Sequence, residues 1–216
     1  MQETAHHINV YGRRKGRPLR IQKQTALNTL LPQVNLSLGL PVQKKVWLEI
    51  GFGFGEHLLG KMAQCPEDGF VGVEVFHPGL AHFLHHLPPS DYHRCRVSAE
   101  PIQMLFPQVP SERFEGILIF FPDPWPKRDH HKRRLMQEAF LSECHRTLIS
   151  GGTIHIASDI PPLMDWMIEQ LRGHKGFVPQ GSSERFLWPS SWPKSRYQEK
   201  AMAEGRESWA SIWEKQ

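Results

Sequence analysis

The chain has little cysteine, three residues among 216, and Cys65, Cys95 and Cys144 are scattered and never in a C-x-x-C spacing. That excludes a disulfide framework and a zinc knuckle. Long hydrophobic runs are missing too: the longest purely apolar stretch is Ile117-Leu118-Ile119-Phe120-Phe121, far short of the roughly 20 residues a membrane helix needs. The segment Met1 to His7 has no charged stretch leading into an apolar one, so no secretory signal is read and a cytoplasmic protein is expected. Thirteen histidines are present, and His82 and His86 share a helix face, but no H-E-x-x-H or carboxylate-completed set accompanies them. No metal is expected. Internal repeats and low-complexity tracts are also absent.

Charge of one sign is scarce in total and concentrated in place. Lys and Arg number 26 against 22 Asp and Glu, a formal net charge of +4 that does not by itself argue for a nucleic-acid partner. Residues 1–24 nevertheless carry Arg13, Arg14, Lys15, Arg17, Arg20 and Lys23 against Glu3, and residues 127–134 carry Lys127, Arg128, Lys132, Arg133 and Arg134 against Asp129. The rest of the chain is therefore net acidic. Two short basic segments on an acidic body suit a protein that presents cations to a polyanion at chosen places.

Residues 1–25, with Gly12, Gly16 and Pro18, read as an irregular basic arm, and Thr25 to Leu31 as the opening of a short helix. Residues 26–216 read as one domain. Strand patterns at Val46 to Ile50, Phe70 to Val75, Arg94 to Val97, Gly116 to Phe121 and Thr153 to Ala157 alternate with helical patterns at Glu56 to Ala63, Pro78 to Leu87, 132–148 and around Leu163 to Leu171. A late strand is expected at Ser208 to Trp213. Such alternation predicts an α/β fold: a doubly wound, mostly parallel, seven-stranded sheet with helices on both faces.

Glu49-Ile50-Gly51-Phe52-Gly53-Phe54-Gly55 lies between the first strand and first helix, where doubly wound folds place their ligand. A dinucleotide loop needs G-x-G-x-x-G; here the glycines follow G-x-G-x-G, with Glu49 before them. A carboxylate there repels a pyrophosphate but suits an ammonium and a sulfonium, so S-adenosylmethionine fits better than NAD. Glu74, ending the second strand, is placed for ribose hydroxyls, and Glu100, past the third, for an adenine amine.

The fourth strand runs into Pro122-Asp123-Pro124-Trp125-Pro126-Lys127 and then Lys132-Arg133-Arg134. Two prolines restrict the backbone of Asp123 and hold its carboxylate at the carboxyl edge of the sheet. Trp125 offers a stacking face, and the cations that follow can reach phosphates.

Phe120-Phe121-Pro122-Asp123-Pro124-Trp125-Pro126-Lys127 followed by His131-Lys132-Arg133-Arg134 closely resembles the signature of the bacterial tRNA (guanine-N7-)-methyltransferases, a class I S-adenosylmethionine-dependent family. Tyr11 to Arg20, Glu49 to Gly53, Gly72 to Val75, Ala157-Ser158-Asp159 and Ser195 to Ala201 extend the resemblance over most of the chain. It implies methyl transfer from S-adenosylmethionine to N7 of a guanosine in the tRNA variable loop. It further implies that Glu49, Glu74, Glu100 and Asp123, with Gly51, Gly53 and Gly55, meet the cofactor, and that Asp123 is the catalytic residue. Lys127, Asp159, Ser195, Arg196, Tyr197 and Gln198 would hold the target nucleotide. Arg13, Arg14, Lys15, Arg17, Lys132, Arg133 and Arg134 would bind the tRNA backbone. Against the family pattern, Glu100 replaces Asp, Asp129 a basic residue, Ser195 Thr, and Gln198 Glu. Two other readings share part of the pattern: an NAD(P)-dependent oxidoreductase, which leaves the basic segment after Asp123 unexplained, and a non-catalytic RNA-binding homologue, suggested by Gln198. Monomer and homodimer both remain open, as do the roles of Trp188, Trp192 and Trp209.

Overall fold

The computed structural model describes residues 19–216. In chain order the elements are α1 (Ile21–Thr29), α2 (Leu31–Val34), β1 (Val46–Ile50), α3 (Glu56–Gln64), β2 (Gly69–Val73), α4 (His77–His86), β3 (Cys95–Ser98), α5 (Ile102–Leu105), β4 (Phe114–Phe120), α6 (Glu138–Thr147), β5 (Leu148–Ser158), α7 (Pro161–Gly173), β6 (Phe177–Pro179), β7 (Phe186–Leu187), α8 (Arg196–Ala203) and β8 (Trp209–Lys215). One sheet runs β3-β2-β1-β4-β5-β8-β6, with β7 also on β8. Strands β3, β2, β1, β4 and β5 are parallel, and β8 is antiparallel to β5, β6 and β7. The sheet thus has eight strands rather than seven: the two-residue β7 carries too little pattern to be read from sequence. Between β1 and β4 the winding reverses, and in open α/β sheets the crevice at that reversal receives ligands.

The central strands are buried on both faces, which is why they read as nearly continuous apolar runs. Strand parity then divides the core. Leu48, Ile50, Ile117, Ile119, Ile154 and Ile156 pack toward Phe140, Leu141, Met164, Met167 and Leu171 of α6 and α7. Phe70, Cys95 and Val97 pack with Leu58 and Met62 of α3 and Leu80, Phe83 and Leu84 of α4. Leu118 and Phe120 instead meet Trp47, Phe186, Trp188 and Trp192, so aromatic rings rather than a helix cover that part of the sheet.

Two sequence expectations shift. Residues 128–133 form a 3-10 turn, and α6 begins only at Glu138, so the helix predicted over 132–148 is shorter. The polar and apolar positions on both sides of that boundary share one helical period, and the sequence pattern alone does not mark it. Helix α1 begins at Ile21 and packs against α4, inside the stretch read as an arm. The arm residues Arg13, Arg14, Lys15 and Arg17 lie outside the described residues. Among the described residues no helix is long and apolar enough to cross a membrane, and no group of His, Cys, Asp or Glu is placed to hold a metal ion.

Candidate active site

A cavity of about 570 Å³ opens at the carboxyl ends of β1, β2 and β4, and its lining includes Gly51, Gly53, Phe54, Glu74, Phe121, Asp123, Trp125, Arg133 and Tyr197. That volume suits a ligand of nucleoside size. The turn after β1 makes its floor. Gly51 and Gly53 both adopt positive φ, 74° and 61°. A Cβ on Gly51 would meet nothing within 4 Å, and one on Gly53 only Tyr197 at 3.8 Å. The backbone here borders open space that a side chain would fill. Gly55 differs: a Cβ there would lie 2.4 Å from Phe83, so this glycine serves the packing of α3 on α4 and stands outside the lining.

Glu74 braces this floor. Its two carboxylate oxygens accept from the Gly53 amide at 2.6 Å and the Phe76 amide at 2.7 Å, leaving lone pairs on both for further donors. Burial pushes its pKa up, opposed by those amides and assisted by the charge of Asp123.

Asp123 sits in a strained loop. Phe121 and Trp125, two residues before and after it, both have positive φ, 51° and 41°, a conformation costing roughly 1–2 kcal/mol at a non-glycine residue. The surroundings hold the loop in place. The Phe121 amide donates to the Ala157 carbonyl at 2.8 Å, and Arg134 Nε donates to the Pro124 carbonyl at 2.9 Å. Arg134 is buried and also faces the Trp166 ring at 4.9 Å. Expected on a tRNA backbone, it lies on the cavity lining and also ties the Pro124 carbonyl in place. Withdrawal from water raises the Asp123 pKa. Tyr197, from α8, stacks on Phe121 at 6.2 Å, and its hydroxyl pKa is raised by burial and by the charges of Asp123 and Glu74.

Other predicted residues lie elsewhere. Glu49 shares the strand parity of Trp47, which turns it onto the aromatic face, where its carboxylate meets His57 Nδ1 at 2.8 Å with both side chains 4% exposed. His57 is in turn enclosed by Phe120 and Trp188. Neither Glu49 nor Glu100 lines the cavity; Glu100 is exposed beside the lining residue Pro101. Asp159 is paired with Arg206, which follows α8. Ser195 caps α8 by accepting from the Gln198 amide at 3.1 Å, and Arg196 pairs with Glu56. Gln198 is buried, and its Oε1 has no hydrogen-bond partner. Lys127 is exposed outside the cavity, whereas Lys132, Arg133 and Arg134 border it, Arg133 over the Trp125 ring at 5.1 Å. The sequence reading did not find Phe54, Phe76, Gln103 or the α6 residues Ala139 and Phe140 in the lining. Phe54 carried a signal, an aromatic set between loop glycines; the α6 residues carried none.

Solved structures with the same fold include a 16S rRNA methyltransferase, KamB, at TM-score 0.57 and 10% identity, covering 93% of this chain and 97% of that one. TrmN from Thermus thermophilus aligns at TM-score 0.56 and 15% identity, covering 90% of this chain and 48% of its own. A family model described as "Putative methyltransferase" matches residues 43–211. The tRNA (guanine-N(7)-)-methyltransferase of Rhodospirillum rubrum is 37% identical, covering 95% of this chain and 87% of its own length. That of Agrobacterium fabrum is 36% identical, over 92% and 91%. Identity at that level along almost the whole chain, on a sheet that places the Pro-Asp-Pro loop at its winding reversal, means that the chain belongs to the bacterial tRNA (guanine-N7-)-methyltransferase family.

Proposed function

We propose that this protein transfers a methyl group from S-adenosylmethionine to N7 of a guanine in tRNA. The supporting observation is one cavity whose lining joins an open glycine turn and Glu74 to Asp123 and the cations Lys132 and Arg133. The residues present fit the cofactor: Gly51 and Gly53 leave room, and Glu74 and Asp123 are acidic toward a cation. When bound, S-adenosylmethionine supplies an electrophilic methyl group.

Guanine N7 has an in-plane lone pair, so no side chain has to remove a proton. The work of the protein is alignment and charge. Asp123 supplies a carboxylate where the purine gains positive charge, and the strained loop fixes its direction in advance. Tyr197 and Trp125 offer aromatic faces to a base released from its stack, and Lys132 and Arg133 take phosphates. Asp159, expected at the guanine edge, is held by Arg206, and Gln198 is buried; neither is assigned a contact with the base. Incubating the protein with labelled S-adenosylmethionine and unmodified tRNA should yield 7-methylguanosine. Absence of that nucleoside would overturn the reading.

A further inference from the structure

A second set of cations gathers on Phe54, a residue of the cavity lining, and has no part in the chemistry above. Phe54 lines the cavity, and three elements bring positive or protonatable groups onto its ring. Arg196 of α8 lies 3.9 Å from the ring centroid, and Lys23 Nζ of α1 lies 5.9 Å away. His82 of α4 meets the ring edge-on at 5.4 Å. His86 stacks on His82 at 4.2 Å, and His85 meets His86 at 5.2 Å. Burial, with the charges of His86 and Arg196, lowers the His82 pKa, opposed by the Phe54 carbonyl and by Glu56, which is paired with Arg196.

The hydrogen bonds of the two stacked rings decide what they can bind. His82 Nδ1 contacts the Phe54 carbonyl at 3.0 Å, and His86 Nδ1 contacts the His82 carbonyl at 2.8 Å. A carbonyl only accepts, so in each ring Nδ1 carries the hydrogen and the neutral form leaves Nε2 bare. A bare Nε2 repels an anionic oxygen. Once protonated, each ring offers an Nε2–H and a positive charge.

We propose that Lys23, His82, His86 and Arg196 form a phosphate clamp for the tRNA backbone on the Phe54 side of the cavity, with histidines that engage only when protonated. The clamp rests on the reading of this protein as one that acts on tRNA. It would work together with Lys132 and Arg133, so that the backbone is held both at the border of the cavity that takes the base and beside Phe54.

The test is equilibrium binding of unmodified tRNA to the full chain, between about 50 and about 200 mM salt and at pH about 7.5 and about 6. Lys23→Gln should weaken binding on the order of tenfold at the lowest salt and lower the slope of log affinity against log salt by about one. Lys44→Gln, an exposed cation beside the amino-terminal end of β1, should change neither. Wild-type affinity should rise as the pH falls, and the double variant His82→Gln/His86→Gln should lose part of that rise. The difference between the two proteins isolates the pair. Melting temperatures check folding, because His85 and His86 also lie in the last turn of α4, where a cation steadies the helix dipole. Lowered melting temperature with unchanged tRNA binding would make the histidines helix-end cations and overturn the clamp. Unchanged salt slope in Lys23→Gln while 7-methylguanosine still forms would overturn the clamp alone; no tRNA binding by the wild type would overturn it together with the proposed function.

Discussion

Asp123 and Arg134 show how residues eleven apart in one segment divide chemistry from support. Asp123→Ala is expected to abolish methyl transfer, a loss of roughly 100-fold or more, while S-adenosylhomocysteine still binds; unchanged turnover would remove the role assigned to the carboxylate. Arg134→Met should act differently, because it deprives the half-buried Pro124 carbonyl of its donor. The expected cost is about 1–3 kcal/mol of stability, read as a fall in melting temperature of several degrees. Lys132→Gln, at an exposed neighbour, should weaken tRNA binding without that fall. The basic run itself does not distinguish Lys132 from Arg134: in sequence both are cations, and only burial marks Arg134 as the one that also clamps the loop. Glu49 teaches the same. Its place before the glycines was legible, but the parity that turns it to His57 depends on which face α3 covers.

At the scale of elements, the glycine turn after β1 holds two kinds of glycine under one motif. All of Gly51, Gly53 and Gly55 have positive φ, so alanine at any of them costs roughly 1 kcal/mol or more in backbone strain. Gly55→Ala adds a collision with Phe83 and should lower the melting temperature most. Gly51→Ala points into open cavity and should spare stability more while weakening S-adenosylhomocysteine binding, measured by calorimetry. Equal effects on both quantities would dissolve the distinction. The turn, the parallel strands and the Pro-Asp-Pro loop were all readable, because each rests on local rules of φ, periodicity or proline geometry. The start of α6 was not, since residues 128–133 close a turn stabilised by the buried Arg134 rather than by their own pattern.

Across the whole molecule, the aromatic cover over Leu118 and Phe120 has an energetic consequence at His155. His155 lies between Trp47 and Trp192, and burial, with the nearby Lys61 and His57, lowers its pKa to about 3 from 6.5. The native state therefore keeps this ring neutral while the unfolded chain takes up a proton. Its contribution to stability is complete above about pH 6.5 and is lost as the pH falls toward about 3, by a few kcal/mol in all. Melting temperature measured across that range should fall with acid, and His155→Phe should flatten the fall. An unchanged acid slope in His155→Phe would show that other groups carry it.

The sequence by itself determined the parallel α/β order, the glycine turn, the proline-held aspartate and the family, because spacing and restricted backbones act locally. Only the tertiary structure decided which charges meet. Packing of the chain commits Arg134 to a carbonyl, Glu49 to His57 and Asp159 to Arg206, and it gathers Lys23, His82 and Arg196 from three distant segments around one phenylalanine. Desolvation and long-range contact set those outcomes, and neither is a property of neighbouring residues in the chain.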